Sequence, residues 1–150
     1  MTIFIGADHG GFALKETLIT WLGKQNYQVE DCGAFFLDPG DDYPEVAFSV
    51  AEKTVANQGT FGLLLCRSGG GVAIAANKVR GARAVAASDE VSAKHAREHN
   101  NAQILVLGAD FVSSEEKAKK IVITFLETEF SGAARHQRRI KQIHEYEERR

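Results

Sequence analysis

Cysteine is scarce in this chain: 150 residues hold two, Cys32 and Cys66. A chain of this length buries roughly two-thirds of the surface that its unfolded form exposes, so a core forms without covalent staples. A Cys32–Cys66 disulfide stays open on sequence alone, but sparse thiols fit a reducing, cytoplasmic setting. Cys32, after the apolar stretch at Tyr27, reads as a small packing residue. Long apolar runs are missing as well. None approaches the roughly 20 residues of a membrane helix, and Met1 to Gly6 lack the basic region of a secretory signal. Nor is there an excess of either charge: the formal net charge of -2 argues against a general nucleic-acid surface. Repeats, low-complexity tracts and linkers are absent, so residues 1–150 read as one domain. What remains is an ordinary globular composition, 44% hydrophobic and 25% charged.

Short apolar runs alternate with helix-period segments. Thr2 to Ala7, Tyr27 to Asp31, Phe61 to Cys66, Ala82 to Ala87 and Ile104 to Leu107 read as strands. Between them, Leu14, Leu18, Trp21 and Leu22 share one helical face, and Val46, Ala47, Val50, Ala51 and Val55 another, with Pro44 as a start signal. Val91 to His99 reads as a short helix. Ser113-Ser114-Glu115-Glu116 opens a further helix with its apolar stripe at Ala118, Ile121, Val122, Phe125 and Leu126. A last polar helix runs from about Arg135 to Glu148. This alternation predicts a three-layer α/β/α sandwich around a five-stranded parallel, Rossmann-like sheet. Ligands bind beyond the carboxyl ends of such strands. The suspects are therefore Asp8-His9-Gly10-Gly11, Cys66 to Gly71, Ser88-Asp89 and Gly108-Ala109-Asp110.

The run Leu63-Leu64-Leu65-Cys66-Arg67-Ser68-Gly69-Gly70-Gly71-Val72 carries the most chemistry. A buried strand ends in a thiol, a hydroxyl and three glycines, and a helix begins. Backbone N–H groups of such a turn gather over the sulfur, where they hold an anion and favour a thiolate. Asp8-His9 pairs a carboxylate with an imidazole, fit for moving a proton between oxygens. The competing reading is an N-cap aspartate beside an exposed histidine, and position alone does not separate the two. His95 and His99 share a helical face at metal-binding spacing, but the usual glutamate after the first histidine is Ala96, and no cysteine follows. No metal is expected. His99-Asn100-Asn101 at a helix end offers a cation and two amides. Arg135 and Arg139, one helical turn apart, could clamp a phosphate, against the plainer reading of a solvated face that fits the extreme tail.

Other motifs fail on spacing. No Lys-Ser/Thr follows the glycines, so there is no Walker loop. A cysteine-phosphatase loop wants arginine where Val72 stands, and a receiver domain wants an acid where Cys66 stands. Gly6-Ala7-Asp8-His9-Gly10-Gly11 is a poor dinucleotide fingerprint, and Cys66 has no near neighbour for redox chemistry.

Taken together, the segments resemble the type B ribose-5-phosphate isomerases and the wider family that includes galactose-6-phosphate isomerase. The resemblance runs nearly the whole chain. It rests on Gly6 to Lys15, Asp42-Tyr43-Pro44, Ala75-Ala76-Asn77-Lys78-Val79, Ala96 to Ala102, and Arg135-His136-Gln137-x-Arg139. It implies a cofactor-free aldose–ketose isomerase working through a cis-enediolate. Cys66 matches the base and His99 the ring-opening proton donor; Ser68 keeps the hydroxyl of the turn. Amides of Arg67 to Gly71, including Gly69 and Gly70, face the enediolate. Asp8 and Asn100 match hydroxyl contacts, His9, Arg135 and Arg139 phosphate contacts, and Tyr43 a pocket wall. Relatives without the cysteine use a glutamate shortly after the turn, where Val72 stands here.

The resemblance also implies a C-terminal helix that reaches a partner subunit, in a homodimer or a dimer of such dimers with shared sites. Three departures stand out: Arg67 replaces a glycine, Asp110 an arginine, and Ala133-Ala134 a glycine-rich lead. Arg67 is expected to restore part of the positive charge lost at Asp110. Two alternatives remain: a tetrose- or hexose-phosphate isomerase of the same family, and a sugar-phosphate binding module without turnover. Galactose-6-phosphate isomerase resembles a pair of unlike subunits that divide the catalytic residues, whereas this chain holds the cysteine, the histidine and both tail arginines.

Overall fold

The computed structural model describes residues 1–149. Five strands, β1 (Thr2–Ala7), β2 (Gln28–Asp31), β3 (Phe61–Cys66), β4 (Ala84–Ala86) and β5 (Ile104–Gly108), form one sheet in the order β2-β1-β3-β5-β4. All neighbouring pairs are parallel. The helices are α1 (Phe12–Lys24), α2 (Tyr43–Ala56), α3 (Gly70–Ala76), α4 (Glu90–Glu98), α5 (Glu115–Glu127) and α6 (Ala134–Glu148). None is long and apolar enough to cross a membrane among the described residues.

Period-two alternation along the strands sorts the core into two layers. Ile3, Ile5, Leu63, Leu65, Leu105 and Leu107 pack with Leu18 and Leu22 of α1, Ala93 and Ala96 of α4, and the Ile121–Phe125 stripe of α5. Phe4, Leu64, Cys66, Ile104 and Val106 face α2 and α3 instead, through Val50, Ala51, Val72 and Ala76. Both faces of the sheet are thus covered, as the alternation of elements required.

One detail differs from expectation: the fourth strand spans Ala84–Ala86 rather than 82–87. It lies at the sheet edge with β5 inside it. Each residue of β5 is buried, so it takes the interior position; β4 grades from buried to exposed. Asn77 covers the free edge: its side-chain Nδ2 donates to the Ala84 carbonyl and its Oδ1 accepts the Ala84 N–H, both at 2.9 Å. An amide side chain here does the work of a missing strand.

The segment after β2 is anchored rather than loose. Ala7 N–H donates to Gly33 O at 2.8 Å and Ala34 N–H to Ala7 O at 2.7 Å. Fully buried Lys15 reaches both Asp31 carboxylate oxygens, at 2.8 and 2.9 Å. α6 stands apart: its one buried residue is His136, and its far end is held by Glu147, which accepts the Gly81 N–H at 2.9 Å.

Candidate active site

The strand order makes β1 and β3 neighbours whose following connections leave in opposite directions, the kind of switch point at whose carboxyl ends ligands bind. Cys66 closes β3 there, 4% exposed, with its Sγ accepting the Gly69 N–H at 3.1 Å. That contact depends on Gly69 standing at φ 83°, the left-handed region that favours glycine. Gly70 N–H points at Ser68 Oγ, 3.4 Å away. The amides of Gly71 and Val72, in the first turn of α3, have no acceptor within the helix. α3 has only seven residues, so these amides count for more than its macrodipole. The Tyr43 ring, at the start of α2, packs directly on Gly71: a β-carbon there would lie 2.5 Å from its Cζ. Both cysteines are free, and Cys32 packs partly buried on the α2–α3 layer.

Asp8 closes β1 opposite the turn. One oxygen accepts Gly10 N–H at 2.9 Å and Gly11 N–H at 3.3 Å. The N-cap of α1 is Gly11, with no side-chain cap, so Asp8 is not the capping aspartate weighed from the sequence; one of its oxygens braces the turn before the helix. His9 gives its backbone N–H, at 3.0 Å, and its ring Nδ1, at 2.7 Å, to the same oxygen of Asp41. Asp8, His9 and Asp41 place ligating atoms within 4.8 Å of one another, the one such group of three among the described residues. Those atoms are already engaged with backbone amides or with each other. Arg67 donates and accepts no side-chain bond among the described residues, while its carbonyl accepts the Asp110 N–H at 3.0 Å.

His99 lies elsewhere. It follows α4, near the start of β5, whereas Cys66 ends β3; the parallel register pairs Gly62 with Ile104 and Cys66 with Gly108. The two residues thus belong to opposite ends of the sheet, separated by about 13 Å of strand. His99 lines a cavity of about 540 Å³ beneath α6 with Asn100, His136, Arg139 and Arg83; no residue of the 66–71 turn reaches it. The His99 ring is stacked at 4.5 Å on His95 and tilted at 4.6 Å against His136. His136 has its Nδ1 2.9 Å from Ser131 Oγ. Its pKa is lowered by burial first, and then by Arg135, His99 and Arg139.

Some expected candidates turn out to be structural. Asn101 accepts from Arg97 through its side chain and from Arg83 through its carbonyl, so it locks the end of α4 and leaves the amide role to Asn100. Asp89 caps α4, and the N–H and hydroxyl of Ser92 lower its carboxyl pKa. Asp41 and His136 gained their places only in three dimensions. The acidic pair before Tyr43-Pro44 was the one sequence sign of the first.

A family model described as ribose/galactose isomerase matches residues 3–143. Ribose-5-phosphate isomerase B of Mycolicibacterium paratuberculosis is 46% identical over 147 residues, covering 98% of this chain and 92% of that protein. A crystal structure of ribose-5-phosphate isomerase B from Mycoplasma genitalium with bound ribulose 5-phosphate superposes with a TM-score of 0.93 at 42% identity, covering 98% of this chain and 96% of that one. The type B enzyme of Trypanosoma cruzi gives 0.93 at 39% identity over the full length of both chains.

Proposed function

This chain belongs to the ribose/galactose isomerase family, and we propose that it interconverts ribose 5-phosphate and ribulose 5-phosphate through a cis-enediolate, without a cofactor. The observation that carries this reading is the buried Cys66 sulfur at the switch point, with the Gly69 amide aimed at it. As thiolate, Cys66 removes the proton from the carbon next to the carbonyl and returns it to the neighbouring carbon. Negative charge that develops on the two sugar oxygens falls to the free amides of the turn and to the Ser68 hydroxyl. Asp8 has its second oxygen left for a hydroxyl of the chain, and Tyr43 walls the pocket. The unpaired Arg67, whose backbone lies against Gly10, adds positive charge to the turn.

The placement of His99 supports a site shared by two copies. One chain holds the base and the ring-opening donor at opposite ends of its sheet, so a single copy does not assemble them. In a two-fold dimer each switch point meets the other copy's His99, Asn100, Arg135 and Arg139, and two sites form together. His9 and the arginines then hold the phosphate, while His99 protonates the ring oxygen.

The test is an isomerase assay across pentose, tetrose and hexose phosphates, with Cys66→Ala as the inactive control. Cys66→Ala and His99→Asn are then co-expressed. Both homodimers are dead, but a mixed dimer has one intact site. Random assortment thus restores roughly a quarter of the sites. No recovery would mean that base and donor come from the same chain. No pentose-phosphate turnover in the wild type would sink the substrate assignment.

A further inference from the structure

We infer that Asp41 is a positioning residue for substrate phosphate, acting through His9. It rests on the reading of His9 as a phosphate contact and adds what sets that imidazole. A carboxylate only accepts hydrogen bonds, so the ring nitrogen 2.7 Å from Asp41 Oδ1 is the one that carries the proton. Asp41 therefore fixes the tautomer and, because the His9 backbone N–H meets the same oxygen at 3.0 Å, the ring's orientation too. The free nitrogen, Nε2, has no protein partner among the described residues. A ring that gives Nδ1–H to Asp41 and Nε2–H to a phosphate oxygen is the imidazolium, flanked by an anion on each side.

Asp41 itself is well placed to hold a ring still. Its side chain is 18% exposed against 33% for His9, so it sits behind the imidazole rather than in the path of the ligand. Its backbone N–H donates to Asp38 O at 3.1 Å, and Asp38 in turn accepts the Gly40 N–H at 2.9 Å. Two residues later α2 begins with Tyr43 on the catalytic turn. At its other end the segment is fastened by Lys15 and by the Gly33–Ala34 pairing with Ala7. A loop braced at both ends delivers the carboxylate to a fixed point, the condition under which a supporting hydrogen bond lowers the cost of binding.

The experiment is a double-mutant cycle on KM for ribulose 5-phosphate: wild type, Asp41→Ala, His9→Ala and the double variant, each checked by circular dichroism. Asp41→Ala is expected to raise KM about ten-fold or more with kcat changed less than about two-fold. The same substitution made on the His9→Ala background should add almost nothing. Nitrogen-15 spectra of histidine-labelled protein should show the His9 Nδ1–H tautomer in the wild type and its loss in Asp41→Ala. An Asp41→Ala penalty that persists undiminished without His9 would overturn the inference, because the loop would then act by another route. An unchanged KM in Asp41→Ala, beside a raised one in His9→Ala, would overturn it while leaving His9 as a phosphate contact. An unchanged KM in His9→Ala would instead refute the phosphate-contact reading, and this inference with it.

Discussion

Gly69→Ala isolates the feature on which catalysis is proposed to turn. The backbone there stands at φ 83°, and an added β-carbon would lie 3.2 Å from Gly108 N and 3.3 Å from Val106 Cγ1. Left-handed backbone costs an alanine about 1–2 kcal/mol, and tight contact on two sides adds to it, for a total of about 2–3 kcal/mol. The chain can relieve that strain only by rotating the turn, which swings the Gly69 N–H away from the Cys66 sulfur. Loss of one preorganised donor costs roughly 100-fold in kcat, about 2.7 kcal/mol, so the protein that stays folded should still turn over about 100-fold more slowly. Gly59→Ala is the matched control: its φ is 80°, and nothing lies within 4 Å of the new carbon. That variant should lose about 1 kcal/mol in urea unfolding and no activity. Equal kcat in Gly69→Ala, Gly59→Ala and wild type would refute the role given to the amide.

Two further outcomes follow from buried charge. Lys15→Met removes the ammonium that sits between both Asp31 oxygens and the Ala34 carbonyl. Asp31 is 29% exposed, so the loss is expected below the full value for a buried pair, at about 2–3 kcal/mol in urea unfolding; a change under about 0.5 kcal/mol would show the pair to be idle. His136 is held below the ordinary histidine value in the fold, chiefly by burial. Between that lowered value and the unfolded value of about 6.5, the unfolded chain binds more protons. Stability should therefore be full above pH 7 and decline as pH falls through that window. In His136→Phe the decline should be shallower, and parallel melting-temperature curves from pH 7.5 to 5 would contradict the assignment.

Much of this was legible before any coordinates. The alternating runs named the sheet, its parallel sense and both helical layers, because burial on two faces leaves a continuous apolar strand and a one-sided helix. Cys66 and the glycines after it were readable as a turn, since only a bare backbone tolerates φ 83° at Gly69. The extent of β4 was misjudged by one or two residues at each end, where an edge strand yields to the Gly81 turn and to Asn77. The duties of Asn101 and Asp89 were hidden because amides and carboxylates look the same whether they bind a ligand or cap a helix.

The sequence by itself determined the layers, the cysteine–glycine turn and the family, all of which follow from local period, local backbone freedom and ordered motifs. Only the tertiary structure decided that Cys66 and His99 lie at opposite ends of one sheet, that Asp41 holds His9, and that His136 leans on His99. Each of these joins residues far apart along the chain or sets their direction in space. Such relations arise from how strands are ordered and how helices run back along them, which no stretch of neighbouring residues encodes.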